Sequence, residues 1–188
     1  MGKHEEMPLV EGYVAEKRTV SLLLANIFSI ILLAVLLLAG FAAMHLLWPS
    51  VNFDFGSSEM LLLLLVFIVG IVVHELIHGI TWMLATHKGF SHLSFGVIKM
   101  SPYCHIDVPM PKRQYVAGAL MPLLLLGVLP TLVALAIGNY FWLLVGIIFI
   151  TAAAGDIMIV WVIRKEPATA LVYDHPSEAG CYVYRREG

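Results

Sequence analysis

Charge is scarce in this chain. Of its 188 residues only 13% are Asp, Glu, Lys or Arg, and the formal net charge is −2. Without a concentrated basic surface, nothing favours a nucleic acid as partner. Cysteine is almost missing as well. Cys104 and Cys181 are too few and too far apart for a disulfide framework or a thiolate metal site, and they read as ordinary reduced thiols on the cytoplasmic side. There is no glycine-rich nucleotide fingerprint and no internal repeat. Two connecting stretches, residues 48–59 and Gly138-Asn139, contain no lysine or arginine at all.

Apolar residues fill the space that charge leaves. They make up 60% of the chain, and the mean hydropathy is +0.89. A water-soluble domain of this length would expose large apolar patches at that composition, so the expected surroundings are a lipid bilayer. Four stretches are long enough to cross one: about residues 20–47, 60–84, 116–137 and 140–163. The first is too long for a signal-peptide core and lacks a convincing cleavage pattern, so it is expected to stay as an anchor. Lys17 and Arg18 precede the first stretch. Lys88, Lys99, Lys112 and Arg113 lie between the second and third, and Arg164 and Lys165 close the fourth. The positive-inside rule then puts both termini and the long central loop in the cytoplasm of a multi-pass cell-membrane protein. Trp48, Tyr140 and Trp142 fall where interfacial aromatic anchors belong, with Trp82 and Trp161 marking the other interface more loosely.

The central loop, residues 87–115, carries its own structure. Leu93, Phe95 and Val97 alternate with Ser94 and Gly96, which predicts a short strand, and Pro102, Pro109 and Pro111 favour extended, edge-like backbone after it. Two more short strands, 170–173 and 181–184, are predicted in the tail (164–188), which otherwise reads as a plain cytoplasmic cap. The predicted class is an all-α polytopic membrane protein: four transmembrane helices, a β-hairpin-like cytoplasmic loop and a short β tail, forming one domain over 1–188.

The chemistry enters at His74-Glu75-Leu76-Ile77-His78, inside the second apolar stretch. An ionisable residue at membrane depth is costly and marks a functional site by default. Residues four apart share a helix face, so His74 and His78 can offer imidazole nitrogens to one metal ion, and Glu75 stands beside it as the general base of a helical zinc-protease motif. A catalytic zinc needs a third protein ligand. Asp156 is the only carboxylate in the other three stretches. Both the motif and Asp156 lie about 16 residues past the outer start of their stretch, or roughly 24 Å at 1.5 Å per residue. Small residues at 152–155 would let the helices approach. One Zn²⁺ with ionised Glu75 and Asp156 sums to zero charge, whereas two carboxylates in low dielectric would otherwise be driven to their protonated forms. The expected reaction is peptide-bond hydrolysis, with zinc activating water and Glu75 moving its proton. Tyr103 and His105 are candidates for oxyanion or substrate contacts if the central loop folds over the site. His45, His87 and His92 lie at or beyond stretch ends, His4 and His175 in polar termini, and Asn26 and Ser29 in the first stretch are assigned interhelical hydrogen bonding only. The rival is a metal-binding membrane protein without hydrolysis, such as a zinc carrier or a regulatory subunit.

These residues resemble the site-2 protease group of intramembrane zinc metalloproteases, through His74-Glu75-x-x-His78 on one span and Asp156 on a later one. More closely, the whole chain resembles the small bacterial membrane proteins called putative zincin peptidases. That likeness rests on the stretch 74–79, Tyr103-x-His105, Pro122, Gly155-Asp156, Asp174-x-Pro176 and Gly180. It implies a zinc endopeptidase acting on a membrane or membrane-adjacent protein. The chain departs from the site-2 pattern at the third ligand, where Gly155-Asp156 in an alanine-rich run stands in place of Asp-Gly, with no Asn-Pro-type element. An edge strand within residues 93–100 is the expected grip on a substrate strand.

Overall fold

Twenty-six residues without a single Asp, Glu, Lys or Arg form the first helix, α1 (Leu22–Leu47), in a computed structural model of the chain. The structure describes residues 8–98, 101–175 and 178–187. His4, Lys99 and Pro176, each named above, lie outside the described residues, as does residue 100 at the end of the expected edge strand. Helix α2 (Ser57–Thr86) follows; the Glu59 carboxylate accepts from the Gly56 N–H at 3.0 Å and closes its first turn. The third apolar stretch runs from α3 (Lys112–Pro122) through a π-helical turn (Leu123–Val128) into α4 (Leu129–Ile137).

Gly138 takes the left-handed conformation (φ 71°) that ends α4. The Asn139 side chain then accepts from the Trp142 N–H and starts α5 (Tyr140–Ala152). The Trp48 indole lies over Gly138 and donates to the Leu135 carbonyl at 2.8 Å, joining the two connections that lack lysine and arginine at one end of the bundle.

Among the described residues, three helices are individually long and apolar enough to cross a membrane: Leu22–Leu47, Ser57–Thr86 and Lys112–Ile137. The fourth expected span differs. It is broken into α5 and α6 (Ala154–Ile163), bent by 43°. The break lies at Ala153, where ψ opens to 9° and the N–H is shared between the carbonyls of Phe149 and Thr151. An Ala-Ala-Ala-Gly run holds little side-chain packing to keep a helix straight. Large apolar side chains on α1 and α2 stay exposed, among them Leu38 at 75% and Val69 at 61%. That is what a lipid-facing surface requires, because lipid solvates apolar side chains while helices satisfy their own backbone.

Strands cap the opposite end. The loop forms a hairpin, β2 (Leu93–Ile98) with β3 (Ser101–Ile106), paired antiparallel with Phe95 opposite Cys104 and Val97 opposite Pro102. A second sheet has the order β1-β6-β5-β4, from β1 (Tyr13–Thr19), β4 (Met110–Pro111), β5 (Leu171–Asp174) and β6 (Gly180–Arg186). The chain is mostly helical with strands in the loop and tail, as expected, but the tail strands extend beyond a short β tail: they are the middle of a four-stranded antiparallel sheet. One edge is β1, for which no strand was predicted, since its pairing partner β6 lies at the other end of the chain.

Beneath this sheet, Met110, Val172, Val183, Cys181, Tyr115 and Ile163 are buried in one apolar cluster. Glu166 clasps the sheet to the helices. Its carboxylate accepts from Arg185 Nε (2.8 Å) and Nη2 (2.9 Å) and from Arg18 Nη2 (3.1 Å), and Lys112 Nζ donates to its carbonyl at 2.7 Å. Arg185 above all, then Arg18, holds the Glu166 carboxyl below the ordinary glutamate value of 4.5. The two cysteines are free and buried. Burial, with nearby carboxylates adding to it, pushes both thiols up to about 12, which suits inert core cysteines.

Candidate metal centre

One face of α2 repeats every four residues. Gly70, His74, His78 and Trp82 are its buried positions, together with Gly79. At Gly70 a Cβ would stand 2.0 Å from the Phe149 ring, so the absence of a side chain lets α5 press against α2. At Gly79 a Cβ would be 3.0 Å from both Cys104 Sγ and Leu93, so here the hairpin packs onto the helix that carries the motif. The same stripe therefore brings α2 close to its neighbours just before and just after the two histidines.

Both imidazoles are buried, at 7% and 4% exposure, with ring centroids 4.8 Å apart. Asp156 reaches them from α6. Its Oδ2 is 3.2 Å from His74 Nε2 and its Oδ1 is 3.5 Å from His78 Nε2. The break before α6 matters to this meeting, since it puts Asp156 in the first turn of a new helix. Unpaired N–H groups and the helix dipole favour an ionised carboxylate there.

These distances allow a test of whether zinc fits. Donor atoms about 2.0–2.1 Å from a tetrahedral ion stand about 3.4 Å from one another. The Asp156 Oδ2–His74 Nε2 distance of 3.2 Å is close to that edge, while the 3.5 Å distance to His78 runs to the other carboxylate oxygen. One donor atom from each of the three residues lies within 4.8 Å of the others. The bonding of His78 adds an independent argument. Its Nδ1 lies 2.9 Å from the Gly118 carbonyl, which only accepts, so Nδ1 carries the proton. In the neutral ring Nε2 then presents a lone pair to a carboxylate oxygen 3.5 Å away. Two acceptors facing each other in a buried site are satisfied by a metal ion between them or by a second proton on the ring, and the donor set suits the metal. His74, His78 and Asp156 fit the ion.

Residues 67–171 match the model of the family described as "Putative zincin peptidase". The chain belongs to that family. No curated protein and no solved structure matches it. The matched segment of this zincin-family chain holds His74, Glu75, His78 and Asp156, and membership points to a zinc-dependent peptidase. It stops before Asp174.

A cavity of about 560 Å³ opens beside the histidines, at the boundary between the helices and the strands. Glu75 lines it with His74, His78 and Asp156, and the Cys104 backbone N–H faces the Glu75 carboxylate. That N–H therefore belongs to the edge of β3 that does not pair with β2. Within the hairpin it is β3, through Pro102, Tyr103 and Cys104, that forms cavity wall.

The two loop candidates are placed differently. Tyr103 lines the cavity, its ring lying across Gly96 of the partner strand. His105 is 2% exposed and stands behind the wall, with Nδ1 3.1 Å from Asp174 Oδ2 and Nε2 buried without a hydrogen-bond partner among the described residues. Asp174 itself lines the cavity and also accepts from the Tyr115 hydroxyl at 2.9 Å. His92 pairs with Asp107 at 2.7 Å, away from the cluster, and Ser29 donates to the Thr151 carbonyl across helices as expected.

Sequence reasoning missed several participants. Trp82, read as an interfacial aromatic, is instead 4% exposed and stacked between His78 (5.3 Å) and Tyr115 (5.5 Å). Its four-residue offset from His78 is the signal that would have found it. Tyr115 and Gly118 carry no such signal, because their part in the site depends on how α3 packs against α2.

Proposed function

We propose that this chain is an intramembrane or membrane-proximal zinc endopeptidase of site-2 protease type, cleaving membrane-associated proteins near the cytoplasmic side. The observation that carries this reading is the meeting of Asp156 with His74 and His78, one donor atom of each lying within 4.8 Å of the others. In this reading the bent pair α5–α6 is the fourth span, and both termini, the hairpin and the four-stranded sheet face the cytoplasm of a cell membrane.

Bound at the three donors, zinc would supply a Lewis acid that acidifies water and polarises the scissile carbonyl. The remaining work belongs to the chain. Glu75, one residue from a ligand and open to the cavity, takes the proton of the attacking water and returns it to the leaving amine. The unpaired edge of β3 accepts the substrate as an added strand and aligns its carbonyl. Tyr103, in the wall, is the residue of the loop pair that can reach substrate, while His105 acts through Asp174.

Purified protein should contain one zinc per chain and cleave single-span membrane proteins in proteoliposomes. Chelation should stop cleavage and added zinc should restore it; cleavage indifferent to chelation would reject the proposal. Proline at Ser94, opposite His105 in a hydrogen-bonded pair of the ladder, removes an N–H that bonds β3 and distorts the hairpin. It should cut cleavage at least about tenfold with zinc content unchanged. Undiminished cleavage would remove the hairpin from substrate binding.

A further inference from the structure

Pro122 lies inside the third apolar helix, at the last residue before the π turn. A proline has no N–H, so the carbonyl four residues earlier loses its helical donor. That carbonyl belongs to Gly118. The next N–H along the chain, that of Leu123, is already bonded to the Leu120 carbonyl. The helix thus leaves Gly118 O open, and His78 Nδ1 lies 2.9 Å from it.

Two neighbours make the contact possible. A Cβ at position 118 would stand 2.0 Å from Trp82 Nε1, so glycine is what lets the α2 face close over this carbonyl. Trp82 in turn stacks on the His78 imidazole at 5.3 Å and 19°, and its Nε1 donates to the Tyr115 carbonyl at 3.1 Å. The ring of His78 is held in plane by stacking and in rotation by one hydrogen bond. His74 has no counterpart: its Nδ1 is buried without a partner among the described residues.

We propose that Pro122 is a positioning residue for the metal centre: by withholding an N–H it frees the Gly118 carbonyl to hold His78 with Nδ1 protonated and Nε2 bare toward Asp156. Outer hydrogen bonds of this kind set the tautomer and orientation of a ligating histidine. The inference rests on the metal reading of the same site.

Pro122→Ala restores an N–H in register to compete for Gly118 O. On the full-length protein in detergent, competition with a chromophoric chelator should show zinc affinity reduced about 10–100-fold. Pro130→Ala is the control. Pro130 sits in the same span, against an apolar groove away from the ligands, and its replacement should leave affinity within about twofold of wild type. In a His78→Ala background, Pro122→Ala should add nothing, because the residue through which it acts is gone. Imidazole ¹⁵N spectra of the metal-loaded wild type should place the His78 proton on Nδ1, a measurement that needs no variant to fold. Wild-type affinity in Pro122→Ala, an equal loss in the His78→Ala background, or a proton on Nε2 would each overturn the inference while the metal reading stands. A wild-type chain that takes up no stoichiometric zinc would overturn both.

Discussion

Glu75→Gln should leave one zinc per chain in place and lower peptide cleavage by about 10²–10⁴-fold, the range supplied by a positioned general base. Glutamine matches the glutamate in size and keeps an acceptor oxygen, so cavity shape and the contact with the Cys104 N–H are preserved. What it cannot do is take a proton from water. The variant separates the two functional classes: a zinc carrier or regulatory subunit would keep its metal handling after this change, whereas a peptidase would keep its zinc and stop turning over. Elemental analysis and a cleavage assay on the same preparation decide it. Cleavage at the wild-type rate would take Glu75 out of the mechanism.

Asp156→Asn should cost the zinc itself. The substitution removes the charge that balances the ion and a strong anionic donor 3.2 and 3.5 Å from the two imidazole nitrogens. Loss of an outer hydrogen bond weakens such sites by about 10–100-fold, and loss of a direct ligand should exceed that, by about 10³-fold or more. The metal-to-protein ratio after dialysis against a weak chelator should fall toward zero, and cleavage should vanish with it. The pattern contrasts with Glu75→Gln, where metal stays and turnover goes. Full zinc occupancy in Asp156→Asn would move the third ligand elsewhere and break the link between α2 and α6.

The legible parts of this protein were the ones governed by short-range periodicity. His74, Glu75 and His78 lie within five residues, and the helical repeat puts both imidazoles on one face whatever else the chain does. Asp156 could be matched to them because a bilayer turns residue number into depth, so a lone carboxylate at the same level had few other partners. The strands of the loop and tail were visible as alternation, but their sheet was not. β1 and β6 pair Tyr13 with Arg186 and Thr19 with Gly180, and no local pattern announces a partner so far along the chain. The same holds for Glu166, whose clasp on Arg18 and Arg185 needs both ends of the sequence assembled.

The break at Ala153 was hidden for another reason. An alanine-rich run is compatible with a straight helix, and only packing against the bundle selects the 43° bend that sets Asp156 at a helix start. Residue order alone thus decided which groups could hold a metal and which segments are apolar enough to cross a membrane, because spacing and hydropathy act along one segment at a time. Folding decided the angles, the carbonyl that meets His78 Nδ1 and the strand at the cavity wall. Those depend on which carbonyl, ring or edge another segment brings within hydrogen-bonding distance.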